Sequence, residues 1–145
     1  MGSVRITDEA RRMLALFEDE TGATATDCVV DETHDRVLIL VAPGEMGQAI
    51  GPGGRNVERA ERKLGREVKL VEDADAPGAF VANALAPAAV LNVTISEGGD
   101  EDDRVAYVEV NDADAGVAIG ADGENIDAAR LLAERHFDVR GIELT

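Results

Sequence analysis

The sequence predicts an α+β fold made of two copies of one αββααβ unit, each packing its helices on a three-stranded sheet. Three observations lead there. The chain has 145 residues, enough for one ordinary domain or two very small ones. Shifted by 69 residues against itself, it pairs Val41 with Val110, Gly47 with Gly116, Ala49 with Ala118, Ile50 with Ile119, Gly51 with Gly120, Gly54 with Gly123, Asn56 with Asn125 and Ala60 with Ala129. Val57 with Ile126 adds a conservative pair, and so dense a match at one offset marks an internal repeat. Each half also alternates between helical and strand periodicity in the same order.

In the first copy, Thr7 is a candidate N-cap, with Asp8 and Glu9 in the first turn. Ile6, Ala10, Met13, Leu14 and Phe17 then recur at helical spacing until Gly22. Residues 24–31 and 36–42 are β-prone runs around the turn Asp31-Glu32-Thr33-His34-Asp35, a hairpin whose second strand is the more buried. A short helix from about Glu45 to Ile50 follows, then Gly51-Pro52-Gly53-Gly54, a helix to about Leu64, and a strand over Glu67–Val71.

Residues 73–78 have linker chemistry, so the domains are expected at 1–73 and 74–145. The second copy starts with a helix from about Pro77 to Ala86, Pro sitting in a tolerated first-turn position and Pro87 ending the helix. Strands over Ala89–Ser96 and Val105–Val110 flank an acidic, Gly-rich turn, Glu97–Asp103, expected to be mobile. A short helix near Ala113–Ile119, the loop Gly120-Ala121-Asp122-Gly123, a helix to about His136 and a strand over Val139–Leu144 complete the unit.

The composition pulls in two directions. Apolar residues make up 45%, which predicts folding rather than disorder, while 30 acidic against 14 basic residues give a formal charge of −16. Such a charge ordinarily opposes nucleic acid and anionic membranes. Lys63 and Lys69 are the only lysines, arginine supplies the other basic charges, and Phe17, Phe80, Tyr107 and Phe137 are the whole aromatic set. These traits look like those of a protein from a salt-accumulating cytoplasm. Cys28, the single cysteine, is expected as a buried inert thiol. Neither a signal peptide nor an 18-residue apolar span is present, which predicts a cytoplasmic protein with no membrane partner.

A glycine pair flanking two residues between two helices has a physical logic. Glycine admits positive φ and removes side chains, so backbone N–H groups and the next helix N-terminus can approach a phosphate. One such loop is weak evidence, but here it occurs twice, each time within an αββααβ unit. Ala49-Ile50-Gly51-Pro52-Gly53-Gly54-Arg55-Asn56-Val57 resembles the nucleic-acid-binding signature of type II K-homology (KH) domains, and Ala118-Ile119-Gly120-Ala121-Asp122-Gly123-Glu124-Asn125-Ile126 is its second instance. Two such units over residues 4 to 144 resemble the archaeal NusA-like transcription termination and elongation factors, without the polymerase-binding and OB-fold domains of bacterial members.

The resemblance implies single-stranded RNA as ligand, its backbone clamped by the GxxG loop and its bases received in an aliphatic groove. It implies phosphate contact at Gly51, Pro52, Gly53 and Gly54, a groove lined by Ile50, Val57 and strand residues near Ile39, and backbone contacts from Arg55 and Arg59. Asn56 either contacts nucleic acid or caps the helix. Ile119, Gly120, Ala121, Asp122, Gly123 and Asn125 are the corresponding candidates in the second unit. RNA polymerase or a transcription complex is an implied partner and a monomer the implied state.

Charge singles out the first unit as the stronger binder: residues 36–69 hold seven basic and four acidic side chains, against the trend of the chain. Arg55, Arg59, Arg62 and Arg66 share one helical stripe, with Glu58 and Arg62 spaced as an i,i+4 pair. The second loop instead carries Asp122 and Glu124. That unit is expected to bind more weakly, to need a counterion or magnesium, or to orient the first. No metal site, cofactor or catalytic constellation is expected: His34 and His136 lack partners at ligand or triad spacing, and no phosphate-loop lysine motif occurs. The function predicted is an RNA-binding transcription factor rather than an enzyme. The alternatives are a ribosome-assembly or ribosomal RNA-binding protein and a KH adaptor docking on polymerase.

Overall fold

The computed structural model describes residues 4–96 and 104–145; the acidic turn Glu97–Asp103 lies outside the described residues. The chain divides into two compact units, one formed by Arg5–Asp73 and the other with Ala74–Thr145 as its body.

The first unit opens with α1 (Asp8–Thr21), where the Thr7 hydroxyl accepts the Ala10 N–H at 3.0 Å and Asp8 and Glu9 face the positive end of the helix dipole. Strands β1 (Ala25–Asp31) and β2 (Arg36–Val41) pair antiparallel, Asp31 opposite Arg36. Then come α2 (Met46–Ile50), a single 3₁₀ turn (Pro52–Gly54), α3 (Arg55–Leu64) and β3 (Glu67–Glu72). Two helices separate β2 from β3, so the connection is a crossover and β3 lies parallel to β2. The order β1-β2-β3 leaves β2 central, and all six of its residues are buried. Phe17, Leu14 and Ala10 of α1 and Ala60 of α3 pack with Cys28, Val37, Ile39 and Val41 in the core. Cys28 is accordingly a buried thiol outside any disulfide.

The second unit repeats the plan: α4 (Pro77–Ala84), β4 (Val90–Ser96), β5 (Val105–Val110), α5 (Asp112–Ile119), a 3₁₀ turn (Ala121–Gly123), α6 (Glu124–Phe137) and β6 (Gly141–Leu144). Its sheet has the order β4-β5-β6, antiparallel then parallel. Phe80 anchors its core, with the Phe137 ring edge-on at 5.0 Å. Most boundaries fall within one residue of the sequence expectation, and two differ by two residues. Helix α4 stops at Ala84 because Pro87 disfavours helical backbone before it. Val139 is not in the last strand: Asp138 adopts φ 56° as the cap of α6, and the Val139 N–H closes the helix end on the Ala133 carbonyl at 3.3 Å.

The two GxxG loops share one backbone. Gly51 (φ 75°, ψ 172°) matches Gly120 (79°, 170°), Gly53 (61°, 20°) matches Asp122 (54°, 24°), and Gly54 (78°, 13°) matches Gly123 (74°, 11°). The middle position therefore tolerates an Asp, one of the few side chains that visit the left-handed region readily. The first does not: a Cβ on Gly51 would stand 2.5 Å from the Asn56 Cγ, and one on Gly120 would stand 2.9 Å from the Asn125 backbone nitrogen.

Two predictions follow from this packing. Gly51→Ala combines a backbone region essentially reserved for glycine with a side-chain clash, and is expected to lower stability by about 1–3 kcal/mol, whereas Gly53→Asp should cost about 1 kcal/mol or less; denaturant midpoints at matched salt separate them. Within the hairpin, Arg36 Nε lies 3.2 Å from Asp31 Oδ2 with both side chains buried. Arg36→Met strands a buried carboxylate and should cost about 3–5 kcal/mol, much of which the double variant Asp31→Asn, Arg36→Met recovers; equilibrium unfolding of the three variants measures it.

Candidate nucleic-acid interface

Beneath each loop lies a buried asparagine whose amide bonds backbone carbonyls. Asn56 Nδ2 donates to the Gln48 carbonyl at 2.8 Å and the Thr21 carbonyl at 3.5 Å, and its Oδ1 accepts from Arg59 Nη2 at 2.7 Å. Gln48 Nε2 donates to the same Thr21 carbonyl at 2.7 Å, so groups left open at the ends of α1 and α2 are satisfied from α2 and α3. Asn125 repeats this, donating to the Leu85 carbonyl at 2.9 Å and the Ala118 carbonyl at 3.3 Å. Of the two roles open to Asn56, the geometry therefore favours the structural one: it ties the helices together and supports the loop from below.

The basic residues divide by position. Arg55, directly after Gly54, is exposed at the loop. Arg59, one turn on, is turned to α1: its Nη2 donates to the Glu20 carbonyl at 3.1 Å, and its Nε lies 3.8 Å from Glu20 Oε2. It shares a stripe with Arg55 but is engaged within the fold. Arg62 and Lys63 are exposed in the last turn of α3, Arg66 lies past the Gly65 cap and so off the helical stripe expected for it, and Glu58 and Arg62 form no ion pair among the described residues. Ile50, immediately before the loop, keeps 41% of its surface exposed, and Val57 is half-buried beside it.

Ile39 does not line a groove. It is fully buried on the central strand, against the core. The groove strand is instead the third strand of a unit, as the second unit shows: a groove of about 540 Å³ is lined by Ile119, Gly123, Ile126, Ile142 and Leu144, with Asp122, Asp127, Arg130 and Glu143 around them. The parallel crossover puts this strand at the sheet edge beside the helix that follows the loop. That signal was present in the sequence, since a strand–helix–helix–strand connection already implies parallel pairing.

Charge differs between the units although the backbone does not. Gly53, Arg55 and Lys69 stand in the first unit where Asp122, Glu124 and Glu143 stand in the second, the last pair by register: Leu38 faces Lys69 and Tyr107 faces Glu143. The first loop thus offers a phosphate backbone amides and a guanidinium, and the second sets carboxylates in the same places. Among the described residues, no group of three or more His, Cys, Asp or Glu side chains could hold a metal ion, and no helix is long and apolar enough to cross a membrane.

Comparison with known proteins agrees with this geometry. The model of the NusA-like second KH domain matches residues 77–145, and the KH domain model matches residues 11–93. The chain is 57% identical over 143 residues to a probable transcription termination protein NusA of Halobacterium salinarum, covering 99% of each. It is 60% identical over 141 residues to the protein of that name from Halococcus morrhuae, covering 97% of this chain and 98% of the other. A namesake from Methanocaldococcus jannaschii is 32% identical over 144 residues, 99% of this chain and 76% of its own length. Among solved structures, the crystal structure of APE1850 superposes with a TM-score of 0.86 at 32% identity, covering 97% of this chain and 100% of that one. Two αββααβ units with matching GxxG loops, and relatives similar along the whole chain, lead to one conclusion: the chain belongs to the NusA-like family of tandem KH-domain proteins.

Proposed function

We propose that this protein is an RNA-binding transcription termination and antitermination factor, acting through two KH domains over residues 1–73 and 74–145. The observation that carries the reading is the first loop between two helices: Pro52 and Gly53 exposed, Gly51 and Gly54 half-buried at its ends, Arg55 beside it and Ile50 open at its edge. Relatives similar over nearly their whole length bear the name of transcription termination protein. Single-stranded RNA would lay its phosphates across Gly51, Pro52, Gly53 and Gly54, with Arg55 on a backbone oxygen and bases against Ile50, Val57 and the edge strand. Arg59 acts indirectly, holding Asn56 and the end of α1 in place. The protein works as a monomeric binding module in the cytoplasm, not as an enzyme, and meets RNA polymerase through the transcript they share.

The test is Pro52→Asp with Gly53→Asp. The second unit already carries Asp at the position of Gly53 with the same backbone, so the fold should survive while phosphate meets two carboxylates. Fluorescence anisotropy with a labelled single-stranded RNA, at the salt where the protein is folded, should show at least a tenfold loss of affinity, about 1.4 kcal/mol. Unchanged affinity, with association to a transcription complex retained, would instead support a protein-docking adaptor.

A further inference from the structure

The groove of the second unit has the shape of a ligand site and the wrong charge for RNA. Its volume of about 540 Å³ falls within the range of ligand clefts, about 300–1,000 Å³. Aliphatic side chains line it, Ile126 and Ile142 nearly buried beneath and Leu144 half-buried, and Ile119 at the rim keeps 43% of its surface exposed. Around them stand Asp122 at the loop, Asp127 on α6 and Glu143 on the edge strand. The single cation, Arg130, is already engaged: Nη1 lies 3.6 Å from Asp127 Oδ1, and Nη2 donates to the Ile142 carbonyl at 3.2 Å. Asp122 and Glu143 are exposed and form no ion pair among the described residues.

These contacts decide between two classes of occupant. A phosphate on this loop would sit against the Asp122 carboxylate, a contact-range repulsion that salt does not remove, since even at 1 M the screening length is about 3 Å. The edge-strand carbonyl of Ile142, which could have received a base amino group, is taken by Arg130. An aliphatic side chain flanked by ammonium or guanidinium groups meets the opposite situation: apolar surface to cover and two unpaired carboxylates at its edges. We propose that the second-unit groove is a docking site for a protein partner, taken as a segment with an apolar residue between lysines or arginines. The two KH units would then divide the work, one holding RNA and the other a protein. This inference does not rest on RNA binding by the first unit.

The experiment uses the full chain with methyl-labelled Ile, Leu and Val, titrated separately with three probes: a ten-residue peptide alternating lysine with leucine, its twin with glutamate for lysine, and decauridylate RNA. The basic peptide should shift the Ile119, Ile126 and Leu144 methyls saturably, and the acidic twin should not. Asp122→Lys with Glu143→Lys should weaken the basic peptide about fivefold or more, and Ile119→Ser should weaken it independently; both sites are exposed, and methyl dispersion reports that the variants are folded. Absence of those shifts, indifference to the charge reversal, or saturation of the same methyls by decauridylate would overturn the proposal. The Ile50 and Val57 methyls report in the same spectra on RNA binding by the first unit, so failure of that reading is seen apart from failure of this one.

Discussion

The two GxxG loops depend on a single packing relation, a glycine without a Cβ set against an asparagine amide that must be buried. At Gly51 the space a Cβ would fill is occupied by the Asn56 side chain, and that amide is held by carbonyls from two other helices. Glycine alone would permit this backbone among many others; the amide selects it. Removing the amide would leave buried carbonyls unsatisfied, which is why the arrangement has few alternatives. The loop shape is thus fixed before any ligand arrives. A cradle ordered in advance spends less of its interaction energy on ordering.

Because the frame is fixed from below, the residues above it are free to differ. Asp122 adopts the φ and ψ of Gly53 without altering the turn, and the register that places Lys69 on one edge strand places Glu143 on the other. Arg59 has no counterpart, since Ala128 stands at that position, buried in the second unit. Duplication therefore preserved the asparagine amide beneath each loop, bonded to backbone carbonyls, while its neighbours Gln48 and Arg59 gave way to Val117 and Ala128 and the charges around the loops diverged. Shared fold and shared ligand are separable here, because different atoms carry them.

Much of this was legible in the sequence, and the remainder was hidden for identifiable reasons. The order of elements, the caps of α1, the buried Cys28 and the duplicated loop all follow from local periodicity and turn chemistry. Asn56 had two open readings because its partners, Thr21 and Gln48, are brought to it by tertiary packing. Arg59 sits on the same helical stripe as Arg55, but a helical stripe does not say which turn meets a neighbouring helix; α1 meets this one. Ile39 was expected in the groove through the family resemblance alone, yet its strand is the most apolar. That same property sends it to the centre of the sheet, and the half-exposed third strand is the one beside the loop. The Glu58–Arg62 pair had correct spacing, but an exposed pair of long side chains gains only a few tenths of a kcal/mol, too little to hold one geometry.

The net charge of −16 is the property that set the sequence and its motifs in opposition, and the structure places the two on different length scales. At low ionic strength the summed field of thirty carboxylates would reach about 30 Å and repel RNA before contact. Near molar salt the reach falls to about 3 Å, less than the length of one side chain. Charges elsewhere on the surface then contribute to solubility and little to recognition. What remains is the handful of groups within contact distance of a bound ligand, and these are where the two units differ. Gly53 is matched by Asp122, Arg55 by Glu124, and Lys69 by Glu143. On the proposed reading, net charge and recognition are then compatible: one loop presents amides and a guanidinium to a phosphate, and a loop of the same backbone presents carboxylates.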